Sequence, residues 1–322
     1  MKKLLALALS AVMALSMVAC GGAKTETHEL KIGHVLGAAH GTKCFASVTA
    51  VVEGDKVVAA KIDEYQFMSG DELISVPNAE NYAASLAEGV KLISKRVDTA
   101  VYSAKMAAAG STVAIDANYD AIEAHVAGKT IAELEAEIAG EMAADAVAGA
   151  TLVDCAGYIG VIVEAAKAAQ AETAVTYEGS LDALTLKYGL GAAHGTKCFA
   201  EVAVLTDGEK VVAAYIDEYQ FMSGDELVSV PNAENYTASL AEGVKLISKR
   251  ADTAVYSEKM AAAGSTVAID ANYDAIQAHV AGKTIADLEA ETAGEMAADA
   301  VAGATLVDCA GYINAIIAVA KA

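Results

Sequence analysis

The chain has 322 residues, of which 43 are acidic and 22 basic, giving a formal charge of −21 and an isoelectric point near 4.6. Such a charge repels phosphate backbones and anionic membrane surfaces, which makes nucleic acid a poor partner. Hydrophobic residues make up 55%, but much of that is alanine, aromatics are only 5%, and Lys and Glu interrupt nearly every apolar run, so a chain of repeated membrane spans is excluded.

In chain order, residues 1–19 read as an export signal: Lys2 and Lys3, then an apolar run from Leu4 to Ala19 that is short for a bilayer. Its end, "SMVAC", is similar to a bacterial lipobox, with Val18 and Ala19 before Cys20 and Met17 where leucine is more usual. The expectation is lipid on Cys20 and a tether over 20–27 that holds a water-soluble chain at the outer face of the cell membrane. Ordinary secretion is the alternative.

The rest of the chain is a duplication. "GAAHGTKCFA" starts at 37 and 191, "IDEYQFMSGDEL" at 62 and 216, and "STVAIDANYDAI" at 111 and 265, each pair 154 residues apart. A unit of that length is one ordinary globular domain rather than a solenoid repeat. The sequence therefore divides into domains at 28–167 and 182–322, joined by a link at 168–181. Within a unit, "KCFAEVAVLTDGEKVVAAYIDEY" at 197–219 has two β-rich runs around Asp207-Gly208, a hairpin signal that Glu53-Gly54 matches in the first copy. Thr130 with Glu133, and more weakly Thr284 with Asp287, form the capping pattern of a helix start. In the last helix of the first unit, Leu152, Cys155, Ala156, Ile159, Ile162, Val163 and Ala166 recur at three- and four-residue steps, an apolar stripe that should lie on the sheet. Strands first and helices after them make each unit α+β, an antiparallel sheet with helices against it.

The stretch "DAVAGATLVDCAGYI" stands unchanged at 145–159 and 299–313. If the last helix begins just after "AGAT", Thr151 and Thr305 sit at its N-terminus, where free N–H groups and the macrodipole favour an anion such as a phosphate. Gly149 and Ala150, with Gly303 and Ala304, leave the approach open. A plain helix N-cap fits the same residues.

Asp145 to Thr151 and Asp299 to Thr305 resemble the flavinylation motif of FMN-binding domains, D-x-x-S/T-G-A-T, with Ala148 and Ala302 in place of the usual Ser or Thr. Such domains occur in the C and G subunits of sodium-pumping NADH:quinone and ferredoxin:NAD oxidoreductases. Tandem copies behind a lipobox are most similar to flavolipoproteins of Gram-positive extracellular electron transfer. The resemblance covers the whole mature chain. It implies two FMN groups joined by phosphodiester to Thr151 and Thr305, placed there by a Mg-dependent flavin transferase with FAD as donor. It implies as partners a membrane quinol or flavin reductase and an extracellular acceptor such as ferric iron, free flavin or a reductase.

His40 and His194, in a small-residue loop, are candidates for flavin contact or simply loop histidines; neither has a second ligand at metal spacing. Tyr65, Phe67 and Met68, with Tyr219, Phe221 and Met222, either flank the flavin or form aromatic core. Cys44 with Cys155, and Cys198 with Cys309, are either bridges or buried thiols, with thiols favoured. "SKR" at 94–96 and 248–250 either offsets the flavin phosphate or is a solvated basic face, with the solvated face favoured. No Rossmann-type G-x-G-x-x-G and no triad-like grouping is present, so an electron carrier is expected rather than a substrate-specific enzyme. A flavin reductase and a non-redox ligand-binding lipoprotein are the rivals.

Overall fold

The computed structural model describes residues 26–322 except 144 and 298. The export signal and Cys20 lie outside the described residues. The first repeat holds β1 (Thr27–Gly37), β2 (Cys44–Glu53), β3 (Lys56–Ser69), α1 (Ala79–Tyr82), β4 (Val90–Ser94), α2 (Thr99–Ala108), α3 (Ile115–Val126), α4 (Ile131–Ile138) and α5 (Cys155–Ala171). Strand β5 (Val175–Glu178) comes next. The second repeats the order with β6 (Thr185–Gly191), β7 (Cys198–Thr206), β8 (Val211–Ser223), α6 (Ala233–Tyr236), β9 (Val244–Ser248), α7 (Thr253–Ala262), α8 (Ile269–Val280), α9 (Ile285–Thr292) and α10 (Cys309–Lys321).

Both sheets are antiparallel, ordered β4-β3-β2-β1-β5 and β6-β7-β8-β9, so the fold is α+β. The expected β2–β3 hairpin forms at Gly54, whose φ of 64° lies in the left-handed region. Asp207 turns the second hairpin by accepting the Glu209 and Lys210 amides on Oδ1 at 3.0 and 2.7 Å. Thr130 and Glu133 make the reciprocal capping box at the start of α4. The segment expected to link the repeats supplies the last turn of α5 and then β5, which pairs with β1 over Thr27–Leu30.

Every residue of β2 from Cys44 to Val52, and all of β7, is buried, because each of these strands is covered on both faces. On one face of β2, Ala46, Val48, Ala50 and Val52 meet Ile159, Ile162 and Val163 of α5; on the other, Phe45 and Val51 meet the second repeat. The layers thus run helices, sheet, sheet, helices. Glycine lets α5 lie directly on β1 and on the loop that follows it: a Cβ at Gly33 of β1 would come within 2.2 Å of the Ala169 nitrogen, and one at Gly157 of α5 within 2.1 Å of the Ala39 oxygen in that loop.

The two repeats meet by reciprocal contacts about a pseudo-twofold axis. Asn78 Nδ2 donates to Cys198 O at 2.7 Å and Asn232 Nδ2 to Cys44 O at 2.8 Å. Phe67 sits 4.7 Å from Tyr236, and Tyr82 4.7 Å from Phe221. At the centre the symmetry breaks. Ser47 and Glu201 occupy equivalent positions and face each other, with the Ser47 hydroxyl donating to Glu201 Oε1. Glu201 Oε2 accepts the hydroxyls of Tyr65 and Tyr219 at 2.8 Å each, and His34 reaches Oε1 at 3.1 Å. Burial works to raise Glu201, but these donors outweigh it and hold its carboxyl below the usual range.

Candidate functional site

The loop ahead of α5 buries Val147 and Ala150 and exposes Asp145, Gly149 and Thr151. Gly149 has φ of 90°, and a Cβ there would meet Ala121 only at ordinary contact distance; the backbone angle, not crowding, calls for glycine. Gly303 matches it at 88°.

A buried asparagine holds the threonine end of this loop. Asn118 on α3 is fully buried, and its Oδ1 accepts the Thr151 amide at 2.6 Å and the Leu152 amide at 3.2 Å. Its Nδ2 donates to Val113 O at 3.1 Å and Ala114 O at 2.8 Å, so every polar atom of the side chain is used. Asn272 holds Thr305 and Leu306 through the same four bonds. The result is a loop clipped to a helix with its threonine side chain left at the surface. Thr151 Oγ1 lies 3.4 Å from Asn118 Oδ1, and Thr305 Oγ1 lies 3.4 Å from Ser265 Oγ. Val153 and Val307, two residues on, are 83% and 82% exposed.

The helix does not start where the sequence suggested. Its first residue is Cys155, four positions beyond Thr151, and its N-cap is Asp154. Thr151 is therefore not a helix-terminal anion site, since its amide and that of Leu152 already belong to Asn118. The helix start carries a histidine–carboxylate pair instead. His40 Nδ1 bonds Asp154 Oδ2, and His194 Nδ1 bonds Asp308 Oδ2 at 2.5 Å. The His40 ring lies nearly parallel to Tyr158 with centroids 6.4 Å apart. About a third of each histidine side chain is exposed.

Other expectations sort differently. Tyr65, Phe67, Tyr219 and Phe221 join the aromatic cluster between the repeats. Cys44, Cys155, Cys198 and Cys309 are free, buried thiols; Cys44 Sγ donates to Glu64 Oε1 at 3.4 Å and Cys155 Sγ to Leu152 O at 3.1 Å. Burial first, then the Glu64 charge, pushes Cys44 up to about 12, so it stays a thiol. The solvated reading of "SKR" fails. Lys95 is 1% exposed and its ammonium bonds Glu64 Oε2 at 2.5 Å, with Tyr119 and Tyr158 hydroxyls donating to that oxygen at 3.1 and 2.8 Å. Burial works to lower Lys95, but the Glu64 carboxylate prevails and keeps the ammonium charged. Lys249, Glu218, Tyr273 and Tyr312 repeat the cluster.

No family model, curated protein or solved structure matches the chain. Among the described residues, no group of three or more His, Cys, Asp or Glu side chains is placed to hold a metal ion, and no helix is long and apolar enough to cross a membrane.

The loops suit a group attached covalently through Thr151 or Thr305: the hydroxyl is reachable, the backbone behind it is fixed, and an exposed valine stands beside it. They do not suit a freely bound phosphate, because the local amides are engaged. Asn118 and Asn272 are the residues sequence reasoning missed. The signal was present, since Ile115, Asn118, Tyr119, Ile122 and Val126 mark the buried stripe of α3, and an amide on such a stripe needs partners.

Proposed function

We propose that this chain is an extracytoplasmic electron carrier with FMN esterified to Thr151 and Thr305, anchored through lipid on Cys20. Each repeat serves as one FMN-binding domain. The observation that carries the reading is the pair of surface threonine hydroxyls, each on a loop clipped by a buried asparagine, within two copies of a D-x-x-x-G-A-T stretch. A transferase needs a protruding, preorganised acceptor, and these loops provide one. In the transfer a Thr Oγ–P bond replaces the P–O–P bond of FAD; AMP and the threonine proton leave.

Covalent attachment suits an exported protein, because a dissociated cofactor is diluted without recovery. The flavin supplies the redox chemistry, joining two-electron donors to one-electron acceptors. The protein's own groups fix position: Asn118 and Asn272 hold the loops, while His40–Asp154 and His194–Asp308 place a hydrogen-bonded histidine–carboxylate pair at the start of the adjoining helix. A membrane quinol or flavin reductase is the donor class, and ferric iron, free flavin or a reductase the acceptor class.

The test is intact mass of the chain produced together with a flavin transferase. Two additions of FMN less water are expected, one lost in Thr151→Ala, one in Thr305→Ala and both in the double variant. An unmodified mass in the wild-type chain overturns the reading.

A further inference from the structure

Six tyrosines are fully buried: Tyr65, Tyr119 and Tyr158, with Tyr219, Tyr273 and Tyr312 at the equivalent positions of the second repeat. Each donates its hydroxyl to a carboxylate, two to each of three glutamates. Tyr119 and Tyr158 reach Glu64 Oε2 at 3.1 and 2.8 Å, and Tyr273 and Tyr312 reach Glu218 Oε2 at 3.0 and 2.8 Å. Tyr65 and Tyr219 share Glu201 Oε2 at 2.8 Å each. A backbone carbonyl also satisfies a buried phenol, as Val76 O does for Tyr82 and Val230 O for Tyr236. The glutamates add what a carbonyl lacks, a base that can keep the phenolic proton.

The six rings form one file through the molecule. At one end the partly exposed His40 ring lies 6.4 Å from Tyr158, which lies 5.3 Å from Tyr119. Their acceptor Glu64 immediately precedes Tyr65 on β3, so the file crosses the first sheet between adjacent residues whose side chains take opposite faces. Between the sheets Tyr65 and Tyr219 stand 5.5 Å apart, with Phe45 and Phe199 each 5.1 Å from the tyrosine of its own repeat. Glu218 immediately precedes Tyr219 on β8 and leads to Tyr273 and Tyr312, 5.4 Å apart, and then to His194 at 6.3 Å. Because Glu201 accepts one hydroxyl from each repeat, the central pair belongs to both halves.

We infer that these tyrosines form a one-electron relay across the contact between the repeats, taking an oxidising equivalent inward from a strong one-electron oxidant, such as carbonate radical, at either histidine-covered end. The relay needs no flavin. Burial first, then the adjacent carboxylate, holds all six phenols well above their usual range, so each starts protonated. Loss of an electron alone would leave a cation in the core, which is costly. A phenol that has lost an electron is a far stronger acid than a carboxylic acid, so its proton moves along the existing bond. The oxidant gains one electron, Tyr158 becomes a neutral radical and Glu64 a carboxylic acid. Tyr65 then gives an electron to Tyr158 and its own proton to Glu201, while Glu64 returns its proton to Tyr158. Tyr219 follows by giving an electron to Tyr65 and its proton to Glu201, which hands the first proton back to Tyr65.

The test generates the oxidant at one end of the full chain. Val153 and Val307 are exposed, each one residue before the aspartate that bonds the end histidine. Val153→Cys or Val307→Cys, each with Cys20→Ser, takes a thiol-reactive ruthenium polypyridyl, while Cys44, Cys155, Cys198 and Cys309 are buried. A flash with a diffusing electron acceptor makes ruthenium(III) in place, and peptide mass spectrometry in aerated buffer locates oxygenated tyrosines. Both labels should mark Tyr65 and Tyr219. With Tyr65→Phe and Tyr219→Phe together, which keep the rings, marks should stay in the labelled repeat: Tyr119 and Tyr158 from position 153, Tyr273 and Tyr312 from position 307. Glu201→Gln, which keeps an oxygen acceptor without the base, should lower the central marks. Thermal unfolding of each variant checks that the fold is intact. Marks confined to exposed side chains around the label when the tyrosines and Glu201 are unaltered, marks in the far repeat of the folded double variant, or undiminished central marks in folded Glu201→Gln overturn the relay.

Discussion

Replacing Asn118 by alanine tests the central structural feature of the threonine loop. The substitution removes the two bonds that Oδ1 accepts from Thr151 and Leu152 and the two that Nδ2 donates to Val113 and Ala114. Thr151 and Ala114 are exposed and Leu152 and Val113 half-buried, so water takes over much of the lost bonding. At about 0.5–1 kcal/mol net for each bond, the expected destabilisation is about 2–4 kcal/mol, read as a lower urea midpoint with unchanged slope. The local effect is more specific. Amide hydrogen exchange at Thr151 and Leu152 should accelerate at least about tenfold, whereas Thr305 and Leu306, clipped by Asn272, keep their protection. Flavin incorporation at Thr151 should fall while that at Thr305 stays. Unchanged exchange at Thr151 and Leu152, or an equal change in both loops, refutes the clip.

Three further outcomes concern the buried polar groups. Glu64→Gln leaves the Lys95 ammonium buried without a countercharge and should cost about 3–5 kcal/mol in urea unfolding; adding Lys95→Met should recover much of it, and a single-variant cost below about 1 kcal/mol would contradict the pairing. Ser47→Glu sets a second carboxylate against Glu201 and should destabilise the contact between repeats by about 3 kcal/mol or more; the exchange Ser47→Glu with Glu201→Ser should restore at least half, as measured by limited proteolysis and unfolding. Burial lifts Asp63 from 3.8 to about 6 against the opposing Ser94 bond, so between pH of about 4 and 6 the folded chain holds a proton the unfolded chain has released. Stability should therefore fall as pH rises through that window, by up to about 3 kcal/mol, and Asp63→Asn should flatten that part of the profile.

Much of the architecture was legible because it rests on local rules. Gly54 and Asp207-Gly208 turn hairpins where a left-handed or side-chain-capped turn is required, and Thr130 with Glu133 starts α4 as the capping pattern demands. The stripe from Cys155 to Ala166 faces the sheet because helical spacing puts those side chains on one side. Lys95 was misread for the complementary reason. A lysine in a polar triplet gives no sign of a glutamate 31 residues earlier on a neighbouring strand, nor of two tyrosines arriving from α3 and α5. The threonine loop was misplaced for a similar reason, since its amides are satisfied by a side chain from α3 rather than left for a helix dipole.

Taken alone, the amino-acid order determined the duplication, the antiparallel hairpins, the apolar helix faces and the two candidate threonines, all of which depend on residues near one another in the chain. Only the tertiary structure decided that β2 and β7 are covered on both faces, that Ser47 opposes Glu201, and that six tyrosines converge in pairs on Glu64, Glu201 and Glu218. These depend on groups brought together from distant positions. A difference of one side chain between the repeats acquires meaning only when the partner facing it is known.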